Sequence, residues 1–534
     1  MTATGWRVPP AEEAASWRSR ATAARDLRRT RGDRPPSGDR ALTVYAGILA
    51  LLIVGAPLVR AVVLSLSDPA VAPLLLTPEA QRGVGLILGL VAGGLVLLGG
   101  MRGPALRSAF ASATLASSDV PRRQSLRGPW VTWLVVLAGA LAIVLAVSAG
   151  GLWAFGAATA SSWATTVLAA ALYGVVASGC WLLGQRMPPQ ATAAVGSGVL
   201  ALVLLGWVLP PLGTALPWGW AAVAWPTTAS GSESLDVALV ALGLAAVAVV
   251  VVAPRLLDGL RGDALVEQAS RQDIARTLAV TGDVAAAGAR YRALPSIARR
   301  ARAIVSDCLP LAYLGRDLVG AIRTPFRLLG GLAAATISVV LVTLAASLDP
   351  AVAWAVAGPA GVLAFAGTGA VSDGFRSVAV GIGSPALFRQ QTATALALHS
   401  ALPVLFALVS VVLGTVAAVG LGAVGVLPVG PTALDPTTLL LSGGIALGAI
   451  AIRLVDSLRG TLPLTLLAPI PTPAGDLSII AQLAWQADAL ISAFFLAASA
   501  TAVTLAGPLG LLVVPAGIGV ALLRAHSRAR ALRP

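Results

Sequence analysis

Residues 83–100 read GVGLILGLVAGGLVLLGG, eighteen positions without a charge, with Arg82 before them and Arg102 two places after. A helix of about 20 apolar residues crosses the roughly 30 Å hydrocarbon core of a bilayer. Within lipid every backbone N–H and C=O must be paired inside the protein, which restricts a spanning segment to a helix or a closed barrel. Gly85, Gly89 and Gly93 share one face of this run at four-residue spacing, and Gly444 with Gly448 repeats the pattern. Small residues so placed let helices approach closely where lipid supplies no hydrophobic drive for them to associate.

The same ruler, moved along the chain, finds about twelve runs. In the first half they are Leu42 to Leu66, Gly83 to Gly100, Trp130 to Ala149, Ala164 to Gly184, Ala191 to Gly213 and Leu235 to Ala253. The second half gives Phe326 to Ser347, Ala351 to Val371, Ala393 to Leu421, Thr437 to Val455, Ile479 to Val503 and Leu509 to Leu523. The expected fold class is all-α: a polytopic integral membrane protein with about 12 transmembrane helices in two six-helix bundles.

Composition agrees. Of 534 residues 57% are hydrophobic and 11% charged, against roughly a quarter charged in soluble domains. All 37 basic residues are arginine, for the chain has neither lysine nor asparagine, and its only histidines are His399 and His526. These absences exclude a P-loop lysine, a lysine Schiff base, an Asn-linked glycan and, with Cys180 and Cys308 alone, a zinc or iron centre. The two cysteines read as free thiols. Alanine, glycine and arginine in place of lysine and asparagine suggest a GC-rich coding genome.

Arginine placement orients the spans, because arginine concentrates on cytoplasmic loops. With the N-terminus inside, the outer loops hold Asp68, Glu79, Glu233, Asp236, Asp349 and Asp435 but one arginine, Arg82. Nearly every other arginine then falls inside. An even number of spans with both termini cytoplasmic follows, and topology accounts for the net charge of +14 without a nucleic-acid partner. The expected organisation is a tail over 1–40, a first bundle over 41–253, a cytoplasmic helical linker over 254–325, a second bundle over 326–523 and a tail over 524–534.

Before the seventh span the chain reads Arg316-Asp317-Leu318 and then Arg323-Thr324-Pro325, and before the first it reads Arg25-Asp26-Leu27 and then Arg34-Pro35. Both segments read as amphipathic helices on the inner leaflet. After the tenth span comes Leu458-Arg459-Gly460-Thr461-Leu462-Pro463, followed by Leu466-Leu467-Ala468-Pro469-Ile470-Pro471. Here the sequence resembles the permease subunits of ABC type-2 exporters, whose first cytoplasmic loop carries an Arg-Gly-Thr-Leu, a Leu-Leu and a Pro. Pro463 stands where that family has an acidic residue.

The resemblance implies a bacterial inner-membrane transport subunit that is not itself an enzyme and binds no cofactor. ATP and Mg would sit on separate cytoplasmic ABC ATPase subunits, and the cargo would be an amphiphilic small molecule, lipid or peptide. It also implies short re-entrant helices near the outer exit, where Pro210 to Pro226 lies here; an aromatic belt is the other reading of that segment. The candidate ATPase-coupling residues are Arg107, Arg122, Arg123, Arg459, Thr461, Pro469 and Pro471, the prolines supplying stiffness and the arginines pairing with partner carboxylates or lipid headgroups.

Charges inside spans are costly, which singles out Arg453 and Asp488, read as a cross-helix pair, and His399, read as a hydrogen-bonded packing residue. Two rival functions remain. Gly369-x-x-x-Asp373-x-x-Arg376 echoes a loop motif of major-facilitator secondary transporters, with Asp488 as the coupling-ion site. A membrane-embedded enzyme lacks paired carboxylates or histidines at one depth.

Overall fold

The computed structural model describes residues 55–67, 72–118, 120–227, 232–280, 306–382, 390–423, 429–460, 462–468, 471–472, 475–476 and 478–532, with isolated residues elsewhere. Among them, ten helices are long and apolar enough to cross a membrane. An eleventh is added if Ala353–Thr368 and Asp373–Gly381, bent by 67° at a short break, form one span. The protein is a helical, multi-pass membrane protein. Twelve spans were expected; of the first, Leu42 to Leu66, only the last part lies in a continuously described helix, Ala56–Leu66. The N-terminal tail lies outside the described residues. By internal contacts the chain divides into two compact units, Met1–Gln272 and Asp273–Pro534, so the division falls inside the linker.

The first unit runs α1 (Ala56–Leu66), α2 (Ala72–Leu75), α3 (Pro78–Met101), α4 (Ala109–Ala116), α5 (Arg122–Ser125), α6 (Arg127–Ala154), α7 (Ala160–Arg186), α8 (Pro189–Val208), α9 (Pro210–Thr214), α10 (Pro217–Val223), α11 (Ser232–Asp258) and α12 (Gly262–Val280), the last continuing past the division. Proline opens α3, α8, α9 and α10, where its missing N–H leaves no bond unmade. Thr77 caps α3 by accepting from the Ala80 N–H, and Thr159 with Ser162 forms a capping box on α7.

The glycine stripe of α3 does what its spacing implies. Gly85 faces Ala222, Gly89 faces Val203 and Gly93 faces Leu200, so α8 and α10 lie against the α3 backbone. The proline- and tryptophan-rich segment after α8 forms the two short helices α9 and α10, each too short to cross a bilayer. Trp218, Ala221, Ala222 and Trp225 are buried in it, and the Trp225 indole donates to the Leu75 carbonyl. Tyr173 is buried on α7 and donates to the Leu88 carbonyl at 2.7 Å, tying α7 to α3.

The second unit runs α13 (Leu309–Ile322), α14 (Pro325–Ala346), α15 (Pro350–Thr368), α16 (Asp373–Gly381), α17 (Thr392–His399), α18 (Ala401–Ala423), α19 (Pro436–Ser457), α20 (Ser478–Ala506) and α21 (Val513–Ala531). Asp435 caps α19 through the Thr438 N–H. Gly444 meets Val514 and Gly448 meets Leu496, so the second glycine pair also marks close helix contacts. The core is small-residue packing of Ala360, Ala364, Ala449, Ala493 and Ala497 with Phe365, Leu441 and Ile445. Strand pairing in the described residues is limited to β1 (Pro471–Thr472) against β2 (Gly475–Asp476), an antiparallel two-residue hairpin.

The glycine stripe makes a paired prediction. A Cβ at Gly93 would come within 2.6 Å of the Leu200 side chain, whereas one at Gly94 meets nothing within 4 Å. Gly93→Leu should therefore overpack the α3–α8 contact and cost about 1–3 kcal/mol, read as a lowered melting temperature of the purified protein. Gly94→Leu should melt close to the parent. Equal effects of the two would contradict the packing described.

Candidate functional site

In each unit most arginines lie at one end of the helices, and the polar groups there are arranged as braces. In the first unit the brace is built from two glutamines. Gln185, near the end of α7, accepts from the Ala105 N–H at 3.1 Å and donates through Nε2 to the Ala105 carbonyl and to Oε1 of Gln268. Gln268, on the linker helix α12, donates in turn to the carbonyls of Gly99 and Gly100 at the end of α3. Both side chains are buried. Four otherwise orphaned backbone groups thus find partners at a helix end and its following loop. Trp181 completes the arrangement by donating to the Arg102 carbonyl at 2.7 Å.

Around this brace sit the candidate arginines. Arg107 is turned inward, its Nε and one terminal nitrogen donating to the Ser125 carbonyl, so it ties the loop after α3 to α5. Arg123 points outward with its side chain 55% exposed, while its backbone N–H donates to Asp258 Oδ1 at 2.8 Å and its guanidinium lies 3.6 Å from Oδ2. The guanidinium of Arg122 lies beside Gly262 at the start of α12. Leu257, Leu260 and Leu265 pack with Leu126, Trp130 and Leu182 beneath them. The loop, the end of α11 and the linker helix therefore form one packed platform on the ends of α3 and α7.

In the second unit the arginine-rich end holds carboxylates among its guanidinium groups. Asp488 on α20 accepts from Arg524 at 2.8 and 2.9 Å and from Arg528 at 2.9 Å, both one turn apart on α21. Arg528 also donates to the Val455 carbonyl, so α19, α20 and α21 are stapled at one point. Asp456 bridges Arg459 at 2.8 Å and Arg453 at 3.4 Å. Arg327 on α14 pairs with Asp373 on α16 at 2.5 Å and donates to the Gly369 carbonyl.

The expected pair of Arg453 and Asp488 does not form. Arg453 faces α15, where its guanidinium lies 3.5 Å from the Phe365 ring and donates to the Phe365 carbonyl, while Asp488 faces α21. The two residues find their partners on different neighbours, and Arg453 keeps its Nε buried without a hydrogen-bond partner among the described residues. Arg459 is mostly covered, its side chain 11% exposed, and donates to the Gln486 carbonyl at 2.8 Å while lying against Trp485. Burial pushes its guanidinium below the ordinary arginine value, opposed by the Asp456 carboxylate. Thr461 and Pro469 lie outside the described residues, and Pro471 is described through its backbone pairing with Asp476.

His399, expected as a packing residue, is 3% exposed and hydrogen-bonds through Nδ1 to Asp317 Oδ2 at 2.6 Å. Its ring meets Tyr313 edge-on at 4.8 Å and packs on Gly374, which has no side chain to collide with it. Asp317 and Tyr313 belong to α13, the amphipathic helix expected on the inner leaflet, so this contact fastens α13 to the start of the ninth run. Cys180 and Cys308 are free.

Sequence reasoning missed Gln185, Gln268, Asp317, Arg524 and Arg528 as structural partners. Gln185 stands at the end of an apolar run and Gln268 and Asp317 within polar or amphipathic helices, positions that give no sign of a partner far away in sequence.

Comparison with family models, with curated proteins and with solved structures gives no match. The residues themselves therefore carry the functional reading.

The glutamine brace is testable by coupling. Truncating Gln268 to alanine leaves the Gly99 and Gly100 carbonyls buried without a donor, which costs about 1–3 kcal/mol. Gln185→Ala should cost a similar amount, and the double variant clearly less than the sum. Additive losses in melting experiments on the purified protein would mean that the two side chains do not act together.

Proposed function

We propose that the chain is the transmembrane permease of an ATP-driven exporter of the ABC type-2 kind, moving an amphiphilic small molecule, lipid or peptide across a bacterial inner membrane with its termini on the cytoplasmic side. Energy comes from a separate ATPase that binds ATP and Mg. The reaction is translocation, driven by the ATPase favouring one of two arrangements of the helices over the other.

The observation that carries this reading is the stiffness of the arginine-bearing segments. A loop transmits a displacement only if it cannot absorb it, and here α12 is locked to α3 and α7 by buried hydrogen bonds, while α5 is bonded to the end of α11 through the Arg123 N–H and Asp258. In the second unit α13 is fastened by Asp317 and His399. The coupling residues then divide by role. Arg123, exposed beside Asp258, suits a partner carboxylate, whereas Arg107 and Arg459 are spent inside the protein and position the loops.

The rival reading, ion-coupled secondary transport, needs a carboxylate within the spans that binds and releases a cation. Asp488 is clamped by two guanidinium groups, so a coupling ion would have to displace Arg524 and Arg528.

Reconstitution of the full chain in proteoliposomes with an ATPase encoded beside its gene tests this. ATP-dependent export of a fluorescent amphiphile is expected, with Arg123→Glu slowing it severalfold at unchanged complex formation. Asp488→Asn, which keeps an acceptor for the arginines, should spare export. Transport driven by a proton gradient without ATPase, abolished by Asp488→Asn, would overturn the proposal in favour of the secondary transporter. Nucleotide hydrolysis by the chain alone would overturn it as well.

A further inference from the structure

Where α14, α15, α18 and α19 meet in the second unit they leave a cavity of about 10 Å³. A water molecule needs about that much room, the volume of one water-sized sphere. Every residue lining the cavity is buried, so its contents are shielded from both lipid and bulk solvent. Val342, Ala364 and Phe406 supply apolar wall, and each of the four helices contributes one hydroxyl: Ser338, Thr368, Ser410 and Ser442.

Three of these hydroxyls donate within the chain. Ser338 donates across to the Ala360 carbonyl at 2.7 Å, joining α14 to α15. Thr368 and Ser410 donate to the Phe365 and Phe406 carbonyls of their own helices at 2.9 and 2.8 Å. All three oxygens keep lone pairs that can accept. Ser442 differs, because its hydroxyl oxygen is buried and has no hydrogen-bond partner among the described residues. A hydroxyl taken out of water without compensation is costly, and most buried polar atoms in folded proteins are paired.

We infer that the cavity is a binding site for one water molecule, which accepts a hydrogen bond from Ser442 and donates its two O–H groups to oxygens among Ser338, Thr368 and Ser410. That makes three bonds, the usual number for a buried water. The donor and acceptor needs then match: one hydroxyl with a proton to give, and three with lone pairs to spare. A metal cation of similar size fits the site less well, because no carboxylate lines it and an uncompensated charge among apolar walls is expensive. The bound water ties α19 by hydrogen bonds to the helices around it, adding to their apolar contact. Water binding needs neither nucleotide nor partner, so it stands or falls separately from exporter coupling.

The test is electron cryomicroscopy of the full chain in nanodiscs, at a resolution that shows ordered water, together with melting of the purified protein. A density peak is expected in the cavity within about 3.2 Å of the Ser442 Oγ and of two of the other three oxygens. Ser442→Ala should remove the peak and lower the melting temperature by roughly 2–4 °C, since a bonded hydroxyl is lost. Ser499→Ala, which removes a hydroxyl bonded only within its own exposed helical turn, should melt close to the parent. The parent's density is read whether or not the variant folds. A dry site predicts the reverse, because alanine would relieve an unpaired polar group: a cavity without density in the parent, or Ser442→Ala melting at or above the parent, would overturn the inference. Stabilisation of the parent by sodium over choline that Ser442→Ala abolishes would overturn it in favour of a cation.

Discussion

A backbone amide in hydrocarbon has no water to bond, so each crossing segment must satisfy itself as a helix, and each place where a helix ends must find other donors and acceptors. The architecture of this chain follows from how those ends are dealt with. Proline and capping side chains open α3, α7, α8 and α19. At the arginine-rich end of the first unit, Gln185 and Gln268 take up the backbone groups of Gly99, Gly100 and Ala105. The residues that look least like a site thus decide how firmly the surface segments are joined to the spans.

Charge is handled in the same manner. Four arginines of the second unit, Arg453, Arg459, Arg524 and Arg528, are shared among Asp456, Asp488 and backbone carbonyls. Removing one member of such a set leaves another group short of its partner, which is costlier than the net value of the pair. These residues therefore hold α19, α20 and α21 in register, while Arg123 of the first unit, more than a third exposed, remains able to meet something outside the chain.

Most helices were legible because a crossing needs a minimum apolar length, and that length is written directly in the composition of each run. The spans expected from Gly83 and Trp130 appear as Pro78–Met101 and Arg127–Ala154, the first beginning five residues earlier than its apolar run and the second continuing through Trp153. The partners of charges were not legible. Asp488 lies 35 positions from Arg453 in sequence and its actual partners, Arg524 and Arg528, lie 36 and 40 positions away; helix rotation, absent from the hydropathy pattern, decides between them. His399 with Asp317 shows the same limit, since a surface-lying helix and a span meet through residues 82 positions apart.

The central claim is that the arginine-rich ends face the cytoplasm, and intact cells test it most directly. In a Cys180→Ser background, the exposed Cys308 and an introduced Arg123→Cys should resist a membrane-impermeant maleimide until the membrane is opened. Glu79→Cys and Asp435→Cys in the same background, each with Cys308→Ser, should label at once. Labelling of Cys308 or position 123 from outside, or protection of positions 79 and 435, would contradict the account.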